Sequence, residues 1–253
     1  MKITLLGTGT SQGVPVIACN CEVCLSNDYR DNRLRSSVMV EVDNKTIVID
    51  TGPDFRQQML REKVQKVDAV IFTHEHKDHV AGMDDVRAYN HKWKQDVQVY
   101  CSNRVEEALK REYHYIFSGN NYPGIPKINM NIIDNNEFDI SGIKIIPISV
   151  LHYKMPVFGF RIKNFVYLTD VSFIPEDEKY KLKDLDLLII DSLRKEKHIS
   201  HFNLEESLDL INEVKPKRSL FTHISHYMGK HKELTQELPK NIAPGYDGQV
   251  III

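Results

Sequence analysis

Short apolar runs, each bounded by turn-forming residues, recur along the whole chain. Ile3-Thr4-Leu5-Leu6, Val38 to Val42, Thr46 to Ile49, Ala69 to Phe72 and Val97 to Tyr100 read as strands. Ile128 to Ile133, Lys144 to Ile148, Val157 to Ile162, Phe165 to Leu168, Leu187 to Ile190, Ser219 to Phe221 and Val250 to Ile253 continue the set. Continuous runs of this length, without polar alternation, suit strands covered on both faces. Asp43-Asn44-Lys45 is the predicted turn of a hairpin between two of them. Helical periodicity lies between the strands. Asn203 with Glu206 makes a capping pair ahead of Leu204, Leu208, Ile211 and Val214. Asn103 with Glu106 opens a second helix carrying Val105, Ala108 and Leu109, and Asp54 with Gln57 a third carrying Phe55 and Met59. Hairpins mixed with strand–helix alternation predict mixed sheets under helices, not a doubly wound parallel sheet. There is no internal repeat and no low-complexity linker, so residues 1–253 read as one domain. The irregular stretch Ser118 to Pro126 is either a wall of a binding site or an ordinary surface connection.

Composition narrows the class. A 42% apolar fraction supports a sizeable core, and a net charge of -2 offers no basic excess for a long polyanion. Nucleic acid is therefore an unlikely partner. No apolar stretch approaches the roughly 18 residues needed to cross a bilayer, and Met1 to Gly7 does not read as a signal peptide. A soluble cytoplasmic protein is expected. Four cysteines at this length do not make a disulfide framework; in a reducing compartment clustered cysteines more often hold metal.

The chemistry concentrates in Thr73-His74-Glu75-His76-Lys77-Asp78-His79, directly after the run Ala69 to Phe72. Three imidazoles and a carboxylate at the end of a buried strand suit zinc, iron or manganese. Further candidates share that placement: His152 after the run Ile145 to Leu151, Asp170 after Phe165 to Thr169, and His223 after Ser219 to Thr222. Alone, each is weak. Together they converge, because strand ends on one rim of a sheet are neighbours in space. Cys19-Asn20-Cys21-Glu22-Val23-Cys24 is a second cluster, too tight for disulfide geometry and suited to a tetrahedral zinc whose fourth ligand comes from elsewhere, Cys101 and His226 being candidates. The loop Gly7-Thr8-Gly9-Thr10-Ser11-Gln12-Gly13-Val14-Pro15 has the wrong spacing for a dinucleotide fingerprint and is followed by cysteines instead of a helix. It is a tight turn or a set of backbone amides for a phosphate.

The full T-H-x-H-x-D-H signature, with His, Asp and His following at strand ends, resembles the metallo-β-lactamase superfamily, and the resemblance runs over nearly the whole chain. It implies an α/β fold, the metallo-β-lactamase αββα four-layer sandwich with mixed sheets. It implies two catalytic divalent metals, zinc or manganese. His74, His76 and His152 would hold one, Asp78, His79 and His223 the other, and Asp170 would bridge them. Asp50 matches the superfamily's buried aspartate that orients ligands. Asp191 serves similarly or is an ordinary strand-end cap. The Gly-rich loop, the cysteine cluster and Thr222-His223-Ile224-Ser225-His226 resemble the cyclic-phosphate phosphodiesterase branch, which maps a structural zinc onto Cys19, Cys21, Cys24 and His226. In that branch a histidine before a helix acts on the leaving group or holds the phosphate. His201, two residues before Asn203, fits it, with His198 close enough to be confused with it. His201 and Asp78 are the catalytic candidates.

The implied activity is hydrolysis of small phosphodiesters, cyclic ones above all. Two cations about 3.5–4 Å apart bring a shared water near neutral ionisation and stabilise charge on reacting oxygens. A nuclease resembling transfer-RNA 3′ processing enzymes is the alternative, without the long basic arm such an enzyme needs; a hydrolase of another ester class is a further one. A sensor without turnover would lack a ligand, and an iron redox pair would carry Glu in place of His76. The resemblance also leaves a homodimer open.

Overall fold

The computed structural model describes residues 1–119 and 123–253. Three of the residues expected in the irregular stretch, Asn120, Asn121 and Tyr122, lie outside the described residues. The strands are β1 (Lys2–Gly7), β2 (Ser37–Val42), β3 (Lys45–Ile49), β4 (Ala69–Ile71), β5 (Val97–Cys101), β6 (Ile128–Ile132), β7 (Phe138–Ile140), β8 (Ile143–His152), β9 (Met155–Ile162), β10 (Phe165–Leu168), β11 (Leu187–Asp191), β12 (Arg218–Thr222), β13 (Ile242–Pro244) and β14 (Val250–Ile252). They form two seven-stranded sheets, ordered β14-β1-β2-β3-β4-β5-β6 and β13-β12-β11-β10-β9-β8-β7. Each sheet is mixed. β3 to β6 are parallel while β14, β1, β2 and β3 pair antiparallel. β10 to β13 are parallel while β7 to β10 pair antiparallel.

Three apolar layers hold the sheets and helices together. Ile3, Val40, Ile47 and Ile71 of the first sheet meet Ile145, Phe160, Tyr167 and Ile189 of the second. The outer face of the first sheet, with Val48, Val70 and Val99, is covered by helices α1 (Phe55–Arg61), α3 (Arg87–Trp93) and α4 (Asn103–Glu112) through Phe55, Met59, Tyr89, Val105 and Leu109. The outer face of the second, with Val166, Leu168 and Ile190, is covered by α6 (Leu204–Val214) and α7 (His231–Glu237) through Leu210, Ile211 and Leu234. The result is the four-layer αββα order. It explains the continuous apolar runs: in β10, Phe165 and Tyr167 face the other sheet while Val166 and Leu168 face helices.

Local chemistry sets the boundaries, and some differ from expectation. Asp43 and Asn44 alone form the hairpin turn, both left-handed, and Lys45 already belongs to β3. Asn203 caps α6 with the full reciprocal box to Glu206. Asn103 is not a cap: Ser102 is, its hydroxyl accepting from Val105 N, and Asn103 is the first helical residue. Asp54 precedes α1, but its carboxylate accepts from Arg35 N at 2.8 Å instead of capping. β7, β13, α3, α7 and the short helices α2 (Lys77–Val80) and α5 (His114–Phe117) were not foreseen. Among the described residues no helix is long and apolar enough to cross a membrane.

A buried polar knot fastens the N-terminal loop to the C-terminal part of the chain. Arg33, 4% exposed, donates to Thr8 Oγ1 at 2.8 Å and to Gly245 O at 2.5 Å. Asp247 accepts from Thr8 N and Leu34 N, and Asp31 from His231 N. Burial, helped by Arg33 and Arg30, pushes the His231 pKa down to about 4, so the imidazole folds neutral. The unfolded chain takes up that proton from about pH 6.5 downward; stability is therefore full above 6.5, falls toward pH 4, and does not change further below it on this account. The cost is up to about 3 kcal/mol. Denaturant melts between these pH values are expected to show the loss, with a shallower slope in His231→Gln.

Candidate metal centre

Strand direction gathers the site. Pairing makes β1, β3 and β4 co-directional in the first sheet and β8, β10, β11 and β12 co-directional in the second, and the residues past their ends meet at one rim. Asp50 follows β3, His74 lies just past β4, His152 ends β8, Asp170 lies just past β10, Asp191 ends β11 and His223 follows β12. Asp50, Asp170 and His223 adopt left-handed backbone, with φ of 66°, 56° and 56°. Such conformations are uncommon outside glycine and concentrate at functional sites. Two placements differ from the strand-end expectation. Asp78 and His79 stand on α2, and His152 is the last residue of its strand, not a residue beyond it.

Asp170 is the centre of the arrangement. It is 2% exposed, and its two carboxylate oxygens face different partners. Oδ2 lies 3.2 Å from His79 Nε2 and 3.3 Å from His223 Nδ1; Asp78 Oδ2 is 3.1 Å from the same His79 nitrogen. Oδ1 lies 3.9 Å from His74 Nε2, 3.9 Å from His152 Nε2 and 4.0 Å from His201 Nε2. Donor atoms close enough to share an ion form three groups: Asp78, His79, Asp170 and His223; His74, His76 and Asp170; His152, Asp170 and His201. All seven catalytic-site ligands read from the sequence are thus in one cluster. His201 joins it beside His152, where the sequence reading kept it apart from the ligands.

Hydrogen bonds behind the ligands fix which nitrogen points inward. Asp50, fully buried, accepts from Thr73 N and Thr73 Oγ1 at 2.9 Å and from His79 Nδ1 at 2.8 Å. Thr73 Oγ1 in turn lies 2.9 Å from His74 Nδ1, which donates to it once the hydroxyl is committed to Asp50. His152 Nδ1 donates to Ser200 O at 2.7 Å. Each of these imidazoles thus turns Nε2 toward Asp170. His74 Nε2 and His79 Nε2 are buried with no hydrogen-bond partner, the condition of ligand atoms built for an ion. The donor set of imidazole nitrogens and carboxylate oxygens fits divalent zinc or manganese.

Asp191 links the two sides of the site. Its Oδ2 accepts from Val171 N and from His201 Nδ1, both at 2.9 Å, so it holds the Asp170 backbone and aims His201 Nε2 inward. It orients a histidine as well as ending its strand. Burial works against a proton on His201, but the Asp191 carboxylate outweighs it and holds the pKa up to about 9. His198, by contrast, accepts from Ser200 through Nδ1 and has no contact with Asp170. Burial pushes His223 down to about 4, and it is neutral near pH 7.

A second cluster stands apart. His226 Nδ1 lies 3.3, 3.4 and 3.5 Å from the Sγ atoms of Cys19, Cys21 and Cys24. A tetrahedral zinc with bonds of about 2.3 Å to sulfur and 2.0 Å to nitrogen sets N···S edges of about 3.5 Å. Backbone amides of Val16 and Cys24 point at Cys24 and Cys21 sulfur, and the Cys24 amide does most to bring the Cys21 thiol down to about 6. Cys101 is not a ligand: it is buried in the apolar layer outside the first sheet. Most amides of the glycine-rich loop are committed within the protein. Thr8, Gly9, Thr10 and Gly13 amides already donate to Asp247, Leu34 O, Ile224 O and Thr10 O.

Sequence reasoning passed over three residues here. Thr73 was quoted only as the start of a signature, yet it couples Asp50 to His74. Gly52 and Gly82 allow the Asp50 loop and α2 to touch: a Cβ on Gly52 would sit 2.1 Å from Asp78 O, and one on Gly82 would sit 2.2 Å from Gly52 O. The signal was available in the glycine after Asp50-Thr51, since glycine beside a ligand often marks close backbone approach.

Comparison with known proteins agrees with this geometry. Residues 45–224 match the model of the family described as Beta-lactamase superfamily domain. The crystal structure of a diphosphatase from the PhnP family superposes with a TM-score of 0.93 at 40% identity, covering 99% of this chain and 96% of that one. Zinc-bound PqqB from Methylobacterium extorquens shares the fold with a TM-score of 0.82 at 18% identity, covering 100% of both chains. A Porphyromonas gingivalis protein named octanoyltransferase is 38% identical over 256 residues, which cover 100% of this chain and 52% of that protein. The chain thus spans about half the length of that curated relative.

Two substitutions probe the support of the ligands. Asp50→Ala is expected to weaken zinc retention about 10–100-fold in a chelator competition, because His74 and His79 lose their orientation. Gly52→Ala is expected to displace α2 and lower zinc uptake at the His/Asp cluster, while the Cys/His ion stays bound.

Proposed function

Because the chain belongs to the β-lactamase superfamily domain family, we propose that it is a metal-dependent hydrolase of small phosphodiesters. One observation carries the reading: a buried carboxylate whose two oxygens face separate groups of inward-turned imidazoles. His74, His76 and His152 would hold one divalent ion, Asp78, His79 and His223 the other, with Asp170 between them. When bound, such a pair supplies an activated water and positive charge for the phosphoryl oxygens. Phosphodiesters suit it because their barrier is largely electrostatic.

The chain's own residues do the rest. Asp50, through Thr73 and directly, keeps His74 and His79 in the tautomer that turns Nε2 inward. Asp191 keeps a proton on His201 and aims its Nε2 at the same space. His201 donates that proton to the departing alkoxide, a contribution of about 10²–10⁴-fold in rate. Cys19, Cys21, Cys24 and His226 would hold a third ion that fastens the loop after β1 to the segment after His223. The family resemblance to a PhnP-family diphosphatase supports phosphorus over carbon as the atom attacked. The name octanoyltransferase belongs to a protein of which this chain matches about half.

Metal analysis of purified protein is expected to give about three divalent ions per chain, and bis-(p-nitrophenyl) phosphate to be turned over in proportion to occupancy of the first two. His76→Ala should abolish turnover and keep the Cys-bound ion. Cys21→Ser should mainly lower the melting temperature. Hydrolysis unaffected by stripping all metal overturns the reading. His201→Ala is expected to lower kcat by about 10²-fold or more on alkyl leaving groups and far less on p-nitrophenolate, which needs no proton to leave.

A further inference from the structure

Tyr167 is fully buried in the apolar layer between the sheets, yet its hydroxyl makes no full hydrogen bond. Phe165, two residues earlier on the same face of β10, fills that layer without an oxygen. Packing alone therefore asks for phenylalanine at position 167 as well, because a buried hydroxyl without a partner is destabilising. Neighbours along the sheet offer it nothing: Tyr167 pairs with Phe160 on one side and Ile189 on the other. The polar groups that act on the hydroxyl belong to the metal centre. Asp50, His79 and Asp170 act through their charge, and Thr169 through its own hydroxyl.

Thr169 is the link to the ligands. It stands two residues beyond Tyr167, the spacing that puts side chains on one face of an extended chain. Its Oγ1 donates to Asp170 Oδ2 at 2.7 Å and lies 3.5 Å from His223 Nδ1. A hydroxyl has one proton and two lone pairs. Turned to Asp170, the Thr169 proton steadies one carboxylate oxygen. Turned to His223, it would occupy a lone pair that an ion needs. A donor on the threonine oxygen decides between the two. Burial pushes the Tyr167 pKa up, so the phenol keeps its proton and can be that donor. The first sheet has a counterpart: Thr73 Oγ1 donates to Asp50 and accepts from His74 Nδ1.

We propose that Tyr167 is a positioning residue of the metal centre: by donating to Thr169 Oγ1 it commits the Thr169 proton to Asp170 Oδ2 and leaves the His223 lone pair free for an ion. The inference rests on the reading of the His/Asp cluster as a two-ion site and adds to it a support placed in the apolar core. The phenol and Thr169 are near enough to act on each other without a full bond, so closing the relay takes a small turn of the two side chains. Once closed, each hydrogen bond of the chain polarises the next.

Three substitutions separate this role from packing. Tyr167→Phe removes the oxygen and keeps the ring, Thr169→Val removes the relay hydroxyl at similar volume, and Thr169→Ser keeps it. Zinc affinity of the His/Asp cluster is measured on the purified chain by chelator competition, beside the melting temperature. Tyr167→Phe and Thr169→Val are each expected to weaken one cluster ion about tenfold, and Thr169→Ser to stay within about threefold of wild type. The variant carrying both Tyr167→Phe and Thr169→Val is expected to bind no more weakly than Thr169→Val alone, as one shared relay requires. The ion at Cys19, Cys21, Cys24 and His226 is expected to stay. Zinc affinity of Tyr167→Phe within about twofold of wild type, with an equal or higher melting temperature, overturns the relay and leaves Tyr167 a packing residue. Additive losses in the double variant overturn it too. A wild-type cluster that takes up no zinc overturns the two-ion reading, and this inference with it.

Discussion

Burial of Asp170 is the constraint on which the site depends. A carboxylate that is 2% exposed sits among five imidazoles, with Asp78, Asp50 and Asp191 close behind. Removing one such ion from water costs several kcal/mol unless a partner charge compensates. The chain by itself can offer only protons on histidines, and it shares them unevenly. Burial works against a proton on His79, but Asp78, Asp170 and Asp50 outweigh it and hold its pKa well above the usual range; burial keeps His74 well below. Divalent cations held by these residues would compensate the same carboxylates, and their binding would displace the protons. The arrangement is thus costly as bare protein and favourable as a cation site.

Topology delivers these groups to one place. Each sheet contains a parallel block, and the carboxyl ends of both blocks reach the same rim. Ligands in open α/β sheets bind outside strand carboxyl ends because loops there are free to carry polar groups while the strands stay apolar. Here two sheets stacked face to face double the supply: the first gives Asp50 and the His74–His79 segment, the second gives His152, Asp170, Asp191 and His223. The apolar layer between the sheets, with Tyr167 and Ile71 in it, holds the two contributions in register. A small shift of one sheet over the other would separate Asp170 from His79, which explains why a rigid core lies directly beneath the ligands.

The sequence displayed the sandwich and the ligands because both are local or periodic signals. Strands covered on both faces have no choice but continuous apolar residues, so β1 to β5 and β8 to β12 stood out. β7 and β13 have three residues each and stay below any periodicity. Helix α2 is hidden for another reason: Lys77–Val80 carries ligands, and its residue types are set by chemistry instead of helical pattern. The pairing of Asp191 with His201 joins a strand end to a loop through space, and nothing in the spacing distinguishes it from an ordinary cap. Ser102 lost out to Asn103 as a helix cap because both residues favour that position and only the backbone decides.

The least regular part of the chain is also among its most firmly anchored. Between β1 and β2 the backbone forms isolated bridges, turns and one short 3-10 helix, Tyr29–Asp31, and so lacks the repeated hydrogen bonds that hold strands and longer helices. Ordering a segment of this kind costs about 1–2 kcal/mol per residue in backbone entropy. Two devices offset that cost. In its middle the Cys19, Cys21 and Cys24 thiols converge on His226; near its end Arg33, Asp31 and Asp247 knot it to residues 231 and 245. His223 directly follows β12, and Thr8 and Thr10 bond on either side of Ile224 beside it. The backbone beside it is therefore held by the sheet on one side and the loop on the other. An ion at the cysteines would act on catalysis at a distance, through the backbone of residues 223 to 226, without touching the reacting atoms.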